Sequence, residues 1–160
     1  MKSFKELLLE LNACESAIEW AQDMTIEQVV EQCHRGDWLL WLAKKIGLPL
    51  NKLTLAKARC AKTVIHLMKD QRSIDSVNVA ERFGLDECTL DELNAAYAAA
   101  AAAYAADYAA YAADYAADYA AADAKIKNQK ETADICRDSI GNLIIERVNE
   151  LLNNLVQNEP

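Results

Sequence analysis

The sequence has few of the residues that interrupt helices: 160 residues include only four glycines and two prolines. Turns should therefore be few and the helices between them long. Alternating runs of β-branched and polar residues are also missing, so half-buried strands are not expected and the fold class is all-α. The five cysteines (Cys14, Cys33, Cys60, Cys88 and Cys136) lie no closer than 19 residues apart. That spacing excludes a CxxC-type metal or redox motif. An odd, scattered set suits reduced thiols in a cytosolic protein, acting as small apolar core residues. No GxGxxG, P-loop, GxSxG or HExxH pattern occurs. The two histidines do not complete a ligand set either: His34 stands at a helix end or loop beside Cys33, and His66 lies beside Lys62 on the surface. Neither an enzyme nor a bound cofactor or metal is expected.

Positive charge is missing where negative charge gathers. Residues 1–90 hold 12 basic and 13 acidic side chains, close to balance. Residues 91–124 hold six acidic side chains and no lysine or arginine, so most of the net charge of −8 sits there. No basic face of the kind that binds nucleic acid is present, whereas a basic protein partner is compatible. The alanine tract is long enough to span a bilayer, but Asp107, Asp114, Asp118 and Asp123 oppose insertion. Glu6 and Glu10 interrupt Met1–Leu11, which does not read as a secretory leader. The expectation is a cytoplasmic protein that does not enter membranes.

What is present reads as a single helical domain: short helices over 1–88, an alanine-rich long helix over 89–138 and a C-terminal helix over 142–157. Lys2 to Gln22 reads as one amphipathic helix, with Phe4, Leu7, Leu8, Leu11 and Ile18 at helical spacing. Thr25 and Gln28 form a capping-box pattern for a helix ending near Cys33. Asp37 is placed to cap the next helix, which Gly47 ends just before Pro49. Leu50 to Met68 predicts a helix with Leu53, Cys60, Val64 and Leu67 inward. Ser73 caps a shorter one that ends at Gly84. Trp38 and Trp41 share a face with Leu42 and plug their helix into the core, with Trp20 as a further neighbour.

Thr89 and Glu92 form a second capping box at the start of the alanine-rich segment. Residues 95–124 comprise 20 alanines, six tyrosines and four aspartates, and these are all the tyrosines in the chain. At roughly 100° per residue, Tyr104, Tyr108, Tyr111, Tyr115 and Tyr119 fall within about 40° of Tyr97, as do Leu90, Leu93 and Ile126. Asp107, Asp114 and Asp118 form a line roughly 60–100° to one side. One continuous helix of about 50 Å fits this phase, with a turn hidden at an aspartate cap as the alternative. After Ile126 the stripe loses phase, and Ser139–Asn142 reads as a break. A last helix follows, with Ile144, Val148, Leu151, Leu152 and Leu155 inward. The tyrosine stripe is then the spine of the fold. Six exposed rings would exceed the apolar patch a monomer normally tolerates. The rings therefore pack on the shorter helices, meet a partner, or do both. The candidate protein-binding edge is Tyr104, Asp107, Tyr108, Tyr111, Asp114, Tyr115, Asp118 and Tyr119.

Three stretches occur together: "ACESAIEWA" leading into "EQCHRGDWLLWLA", the cysteine-bearing helix "LAKARCAK", and the Ala/Tyr/Asp tract closing in "ADICR". Over roughly residues 10–138 the chain resembles the alanine-rich immunity protein family of bacteria and bacteriophages. The resemblance implies a small cytoplasmic inhibitor that neutralises a toxin by binding it. In a phage, the target would be a host defence factor, as with an anti-CRISPR. It maps no functional residues. Two other classes are compatible with the residues: a structural module whose long helix self-associates into a homo-oligomer, and a small-ligand receptor with a pocket lined by the tyrosines.

Overall fold

Side-chain caps and left-handed stops set most of the helix boundaries. The computed structural model describes residues 3–111 and 122–154. Among these there are eight α-helices and no strand: α1 (Phe4–Glu10), α2 (Glu15–Ala21), α3 (Ile26–Gln32), α4 (Gly36–Lys45), α5 (Leu50–Lys62), α6 (Gln71–Gly84), α7 (Leu90–Tyr111) and α8 (Ala122–Asn154). A single 3₁₀ turn, Ile65–Leu67, follows α5. The all-helical class predicted from glycine and proline scarcity is what the described residues adopt.

The first predicted helix is two. Ser3 caps α1, its hydroxyl accepting from the Glu6 N–H while the Glu6 carboxylate accepts from the Ser3 N–H. Asn12 then takes a left-handed conformation at φ 58°. The Asn12 N–H donates to the Leu9 carbonyl and the Ala13 N–H to the Leu8 carbonyl, both at 3.0 Å. This reciprocal pair is a Schellman stop, which asparagine tolerates with little steric cost. Gly47 ends α4 in the same way: at φ 76° its N–H reaches Lys44 and that of Leu48 reaches Ala43.

Thr25 with Gln28 and Thr89 with Glu92 form the predicted capping boxes. Two other predicted caps are displaced. Arg35, not Asp37, precedes α4, and Asp37 sits within its first turn, where its carboxylate accepts from the Arg35 guanidinium at 2.8 and 2.6 Å. Asp70, not Ser73, caps α6 by accepting from the Arg72 N–H. α5 stops at Lys62 rather than Met68. The Thr63 hydroxyl bonds back to the Cys60 carbonyl and accepts from Asn128 of α8 at 2.7 Å, diverting the last turn. Leu67 is consequently 66% exposed and leaves the predicted inner stripe.

The largest departure concerns the centre of the molecule. α8 passes through Ser139–Asn142 without interruption, so no break separates a C-terminal helix there. Gly141 is buried in that turn, with Val30 of α3 across from it. Ala133, Cys136, Ile140, Ile144 and Val148, spaced three or four apart, are each no more than 1% exposed. This stripe is the spine, and α3, α4 and α5 pack around it. The outer side of α5 carries α6, and α6 carries α7. A small second cluster of Ala58, Ala80 and Leu93, with Val79 and Phe83 against it, fills those seams. Gly84 allows the α5–α6 approach: a Cβ there would lie 2.7 Å from the Leu55 Cα. On α7, Leu93 is buried but Leu90 and Tyr97 are each 46% exposed, and Ile126 of α8 is 52% exposed. Tyr97, the tyrosine whose side chain is described, is thus peripheral, and the buried spine of the described residues lies on α8 rather than at Tyr97. Residues 112–121, where one helix or two would be decided, lie outside the described residues, as does Leu155.

Arg137 and Arg147 of α8 hold its neighbours by their C-termini. The Arg137 guanidinium donates to the carbonyls of Val30 and Cys33 at 2.9 and 2.8 Å, and Asp134 pairs with it from the other side. Arg147 donates to the Ile46 carbonyl, at the end of α4. These are carbonyls a helix end leaves without partners, and the cation complements the negative end of the dipole.

Replacing Arg137 with Met leaves two carbonyls short of donors, and unfolding in urea is expected to show a loss of about 1.5–3 kcal/mol. Arg137→Lys should recover part of this, because an ammonium cannot span both acceptors as a fork does. A second expectation concerns acid. The Arg72 side chain and N–H beside Asp70 push its carboxyl from an ordinary 3.8 down to about 2. A depressed carboxylate stabilises the fold fully above its unfolded pKa and loses that effect as pH falls through the folded one. The gap in melting temperature between wild type and Asp70→Ala should be constant above pH 5 and shrink toward pH 2.

Candidate functional site

The predicted edge is divided by the structure. Tyr104, Asp107, Tyr108 and Tyr111 belong to the helical backbone of α7. Asp114, Tyr115, Asp118 and Tyr119 lie outside the described residues. What the described structure adds is the start of the edge. Thr89 fixes where α7 begins, and α6 takes up the Leu93 face. Leu90 and Tyr97 are left exposed on one side of α7, and Asp91 and Glu92 are exposed in its first turn. The Thr89 N–H and hydroxyl hold the Glu92 carboxyl below its usual range, so this end of α7 stays anionic. Partial burial raises the Tyr97 phenol, which stays neutral. The surface is therefore acidic and aromatic, able to contact apolar groups and cations, and has no base adjoining it on α7.

A second feature went unnoticed in the sequence because its residues come from four helices. α1, α2, α3 and α4 enclose a mostly apolar cavity of about 390 Å³. Phe4, Leu8, Trp20, Trp38 and Trp41 line it, with Cys14 among the lining residues. The Schellman stop at Asn12 makes this cavity, because it turns α2 away from α1 and brings Trp20 to Trp38. Their ring centroids are 5.9 Å apart, and His34 meets Trp20 edge-on at 6.2 Å. The Arg35 guanidinium lies 4.8 Å over Trp38, and the Lys45 ammonium 5.7 Å from the Trp41 centroid. The indoles of α4 were expected to plug the core. They instead pack partly buried against it and form a cavity wall. No tyrosine lines this cavity, so it is not the tyrosine pocket that the small-ligand class called for.

The thiols divide by environment. Cys14 is exposed, and hydrogen bonds from the Ser16 hydroxyl and the Ala17 N–H lower its pKa. Cys33 is buried and its pKa is raised by that burial. Among the described residues no group of three or more His, Cys, Asp or Glu side chains is placed to hold a metal. No helix of the described residues is long and apolar enough to cross a membrane.

The reactive form of a cysteine is its thiolate. Ellman's reagent at neutral pH is therefore expected to modify Cys14 first. Cys33 and Cys136 should react only when the chain unfolds, as peptide mapping of partly labelled protein will show. No protein-family model matches the chain, and no curated protein or solved structure matches it.

Proposed function

We propose that this chain is a non-enzymatic inhibitor that acts by binding another protein, in the manner of the alanine-rich immunity proteins it resembles, and so neutralises a toxin or a defence effector. The observation that carries this reading is the α7 edge. Leu90 and Tyr97 are each 46% exposed and stand among the acidic side chains of a segment without a single lysine or arginine. Exposed aromatic and apolar area supplies contact energy at an interface, and the uniform charge favours a basic partner and speeds its approach. On the phase expected from the sequence, the edge would also include Tyr104, Asp107, Tyr108, Tyr111, Asp114, Tyr115, Asp118 and Tyr119. The partner is a basic protein of the same compartment, and the expected compartment is the bacterial or phage-infected cytoplasm.

The test is affinity capture from the native host with the wild-type chain, Tyr97→Ala, and the triple Asp107→Asn, Asp114→Asn, Asp118→Asn variant. The partner recovered by wild type should be lost or weakened at least tenfold in the triple variant, with capture by wild type declining as salt rises. Undiminished capture by both variants would remove the edge as the contact surface.

A further inference from the structure

Two of the five thiols meet where α5 packs on α8, and neither belongs to the proposed contact edge. Cys60 of α5 and Cys136 of α8 place their sulfurs 3.7 Å apart, although 76 positions separate them in the chain. Cys136 is fully buried, its thiol also within reach of the Gly36 carbonyl. Cys60 is only partly buried, and it lines an open cleft of about 370 Å³ with Asp37, Leu40, Asn128, Gln129 and Thr132. Cys33 is buried nearby, and its thiol donates to the Arg35 carbonyl.

We propose that Cys60 and Cys136 are an oxidation site, at which hydrogen peroxide converts the pair to a disulfide that ties α5 to α8. The geometry assigns different roles to the two sulfurs. Cys60 is the one a small oxidant reaches, through the cleft. Cys136 is the one that resolves, because it is in van der Waals contact with Cys60 and shielded from solvent. The electrostatics agree: the hydrogen bond between the two sulfurs lowers the Cys60 pKa, while that bond and burial raise the pKa of Cys136. Cys60 is therefore the sulfur that ionises first, as the attacking group must.

In the first step the Cys60 thiolate attacks one peroxide oxygen. A sulfur–oxygen bond forms, the oxygen–oxygen bond breaks, and hydroxide leaves and takes a proton from solvent. In the second step the Cys136 sulfur attacks the Cys60 sulfenic acid. The sulfur–sulfur bond forms, the sulfur–oxygen bond breaks, and the departing hydroxide takes the Cys136 proton as water. Two thiols lose two electrons, and one peroxide is reduced to two waters. The sulfurs must close from 3.7 Å to about 2.0 Å, a shift of rotamer scale for side chains already facing each other. The closed loop contains α6 and α7, and the bond joins α5, on which α6 packs, directly to α8. The proposal is independent of the proposed function.

The experiment uses the full chain with Cys14→Ser, which prevents cross-linking between molecules through the exposed thiol. Reduced protein is exposed to hydrogen peroxide at neutral pH, blocked with iodoacetamide and digested. A peptide joining Cys60 to Cys136 is expected, with an intact mass lower by two hydrogens. The melting temperature should rise by several degrees and fall back with dithiothreitol, because a long loop is closed. Adding Cys60→Ser or Cys136→Ser should abolish the cross-link and the shift, and Cys33→Ser should preserve both. The proposal is overturned if the joined peptide contains Cys33 in place of Cys60 or Cys136. It is equally overturned if Cys60 accumulates as sulfinic acid beside a free Cys136, or if Cys60 is unmodified while the protein is folded. The peptide map of the Cys14→Ser chain decides this even where a buried serine prevents folding.

Discussion

The rest of the molecule depends on one dry stripe along α8. Cys136, Ile140, Ile144 and Val148 are fully buried, and each buried isoleucine or valine contributes about 1.5–3 kcal/mol relative to exposure. A stripe of this kind must be covered on all sides, and α3, α4 and α5 are the cover. What fixes their placement is polar. Arg137 takes the free carbonyls at the end of α3, and Arg147 one at the end of α4. The apolar contacts favour burial in any of several registers. The two guanidinium groups favour one, since a shift along α8 would leave helix-end carbonyls without their donors.

The stack built outward from α8 separates the chemistry of the chain. α5 has a face in each hydrophobic cluster, and the second cluster joins Ala58 of α5 to Ala80 of α6 and Leu93 of α7. Alanine permits close approach but buries little area, and Leu93 is the large buried side chain that the described part of α7 contributes. Asp91 and Glu92, in the first turn of α7, are exposed, as carboxylates that would be costly to bury must be. The tryptophans gather at the opposite end of the sequence, around the cavity between α1 and α4. Two thiols face each other at the α5–α8 seam, reached by a cleft from one side.

Much of this was legible in the sequence where the physics is local. The capping boxes at Thr25 and Thr89 and the stop at Gly47 depend on residues within four positions of each other, and they stand where predicted. The buried stripe of α1 and the inward Ile144 and Val148 follow from spacing alone. Caps with a close competitor were misassigned. Asp37 is held by Arg35, and Asp70 outcompetes Ser73 because it stands one step before the first turn. Asn12 was overlooked because nothing in its local pattern opposes a helix. It is the surrounding packing of α1 and α2 that makes the left-handed turn favourable.

The candidate site was legible in part and for a similar reason. The acidic, tyrosine-bearing composition of the segment and the helix start at Thr89 can be read from the sequence. The aromatic cavity cannot, because Phe4, Trp20 and Trp38 are neighbours only after Asn12 turns the chain. The Cys60–Cys136 pair cannot be read either, since 76 positions separate its members.

By itself, then, the sequence determined that the fold is helical, where several helices begin, and that most of the net negative charge gathers in one segment. These follow from propensity, caps and composition, which act over a few residues. Only the tertiary structure decided that α8, rather than the tyrosine-bearing α7, is the spine. Gly141 looked like a helix break, and in isolation glycine costs a helix about 1 kcal/mol relative to alanine. Buried against Val30, with Ile140 and Ile144 on either side in the core, that turn gains more from packing than glycine costs it.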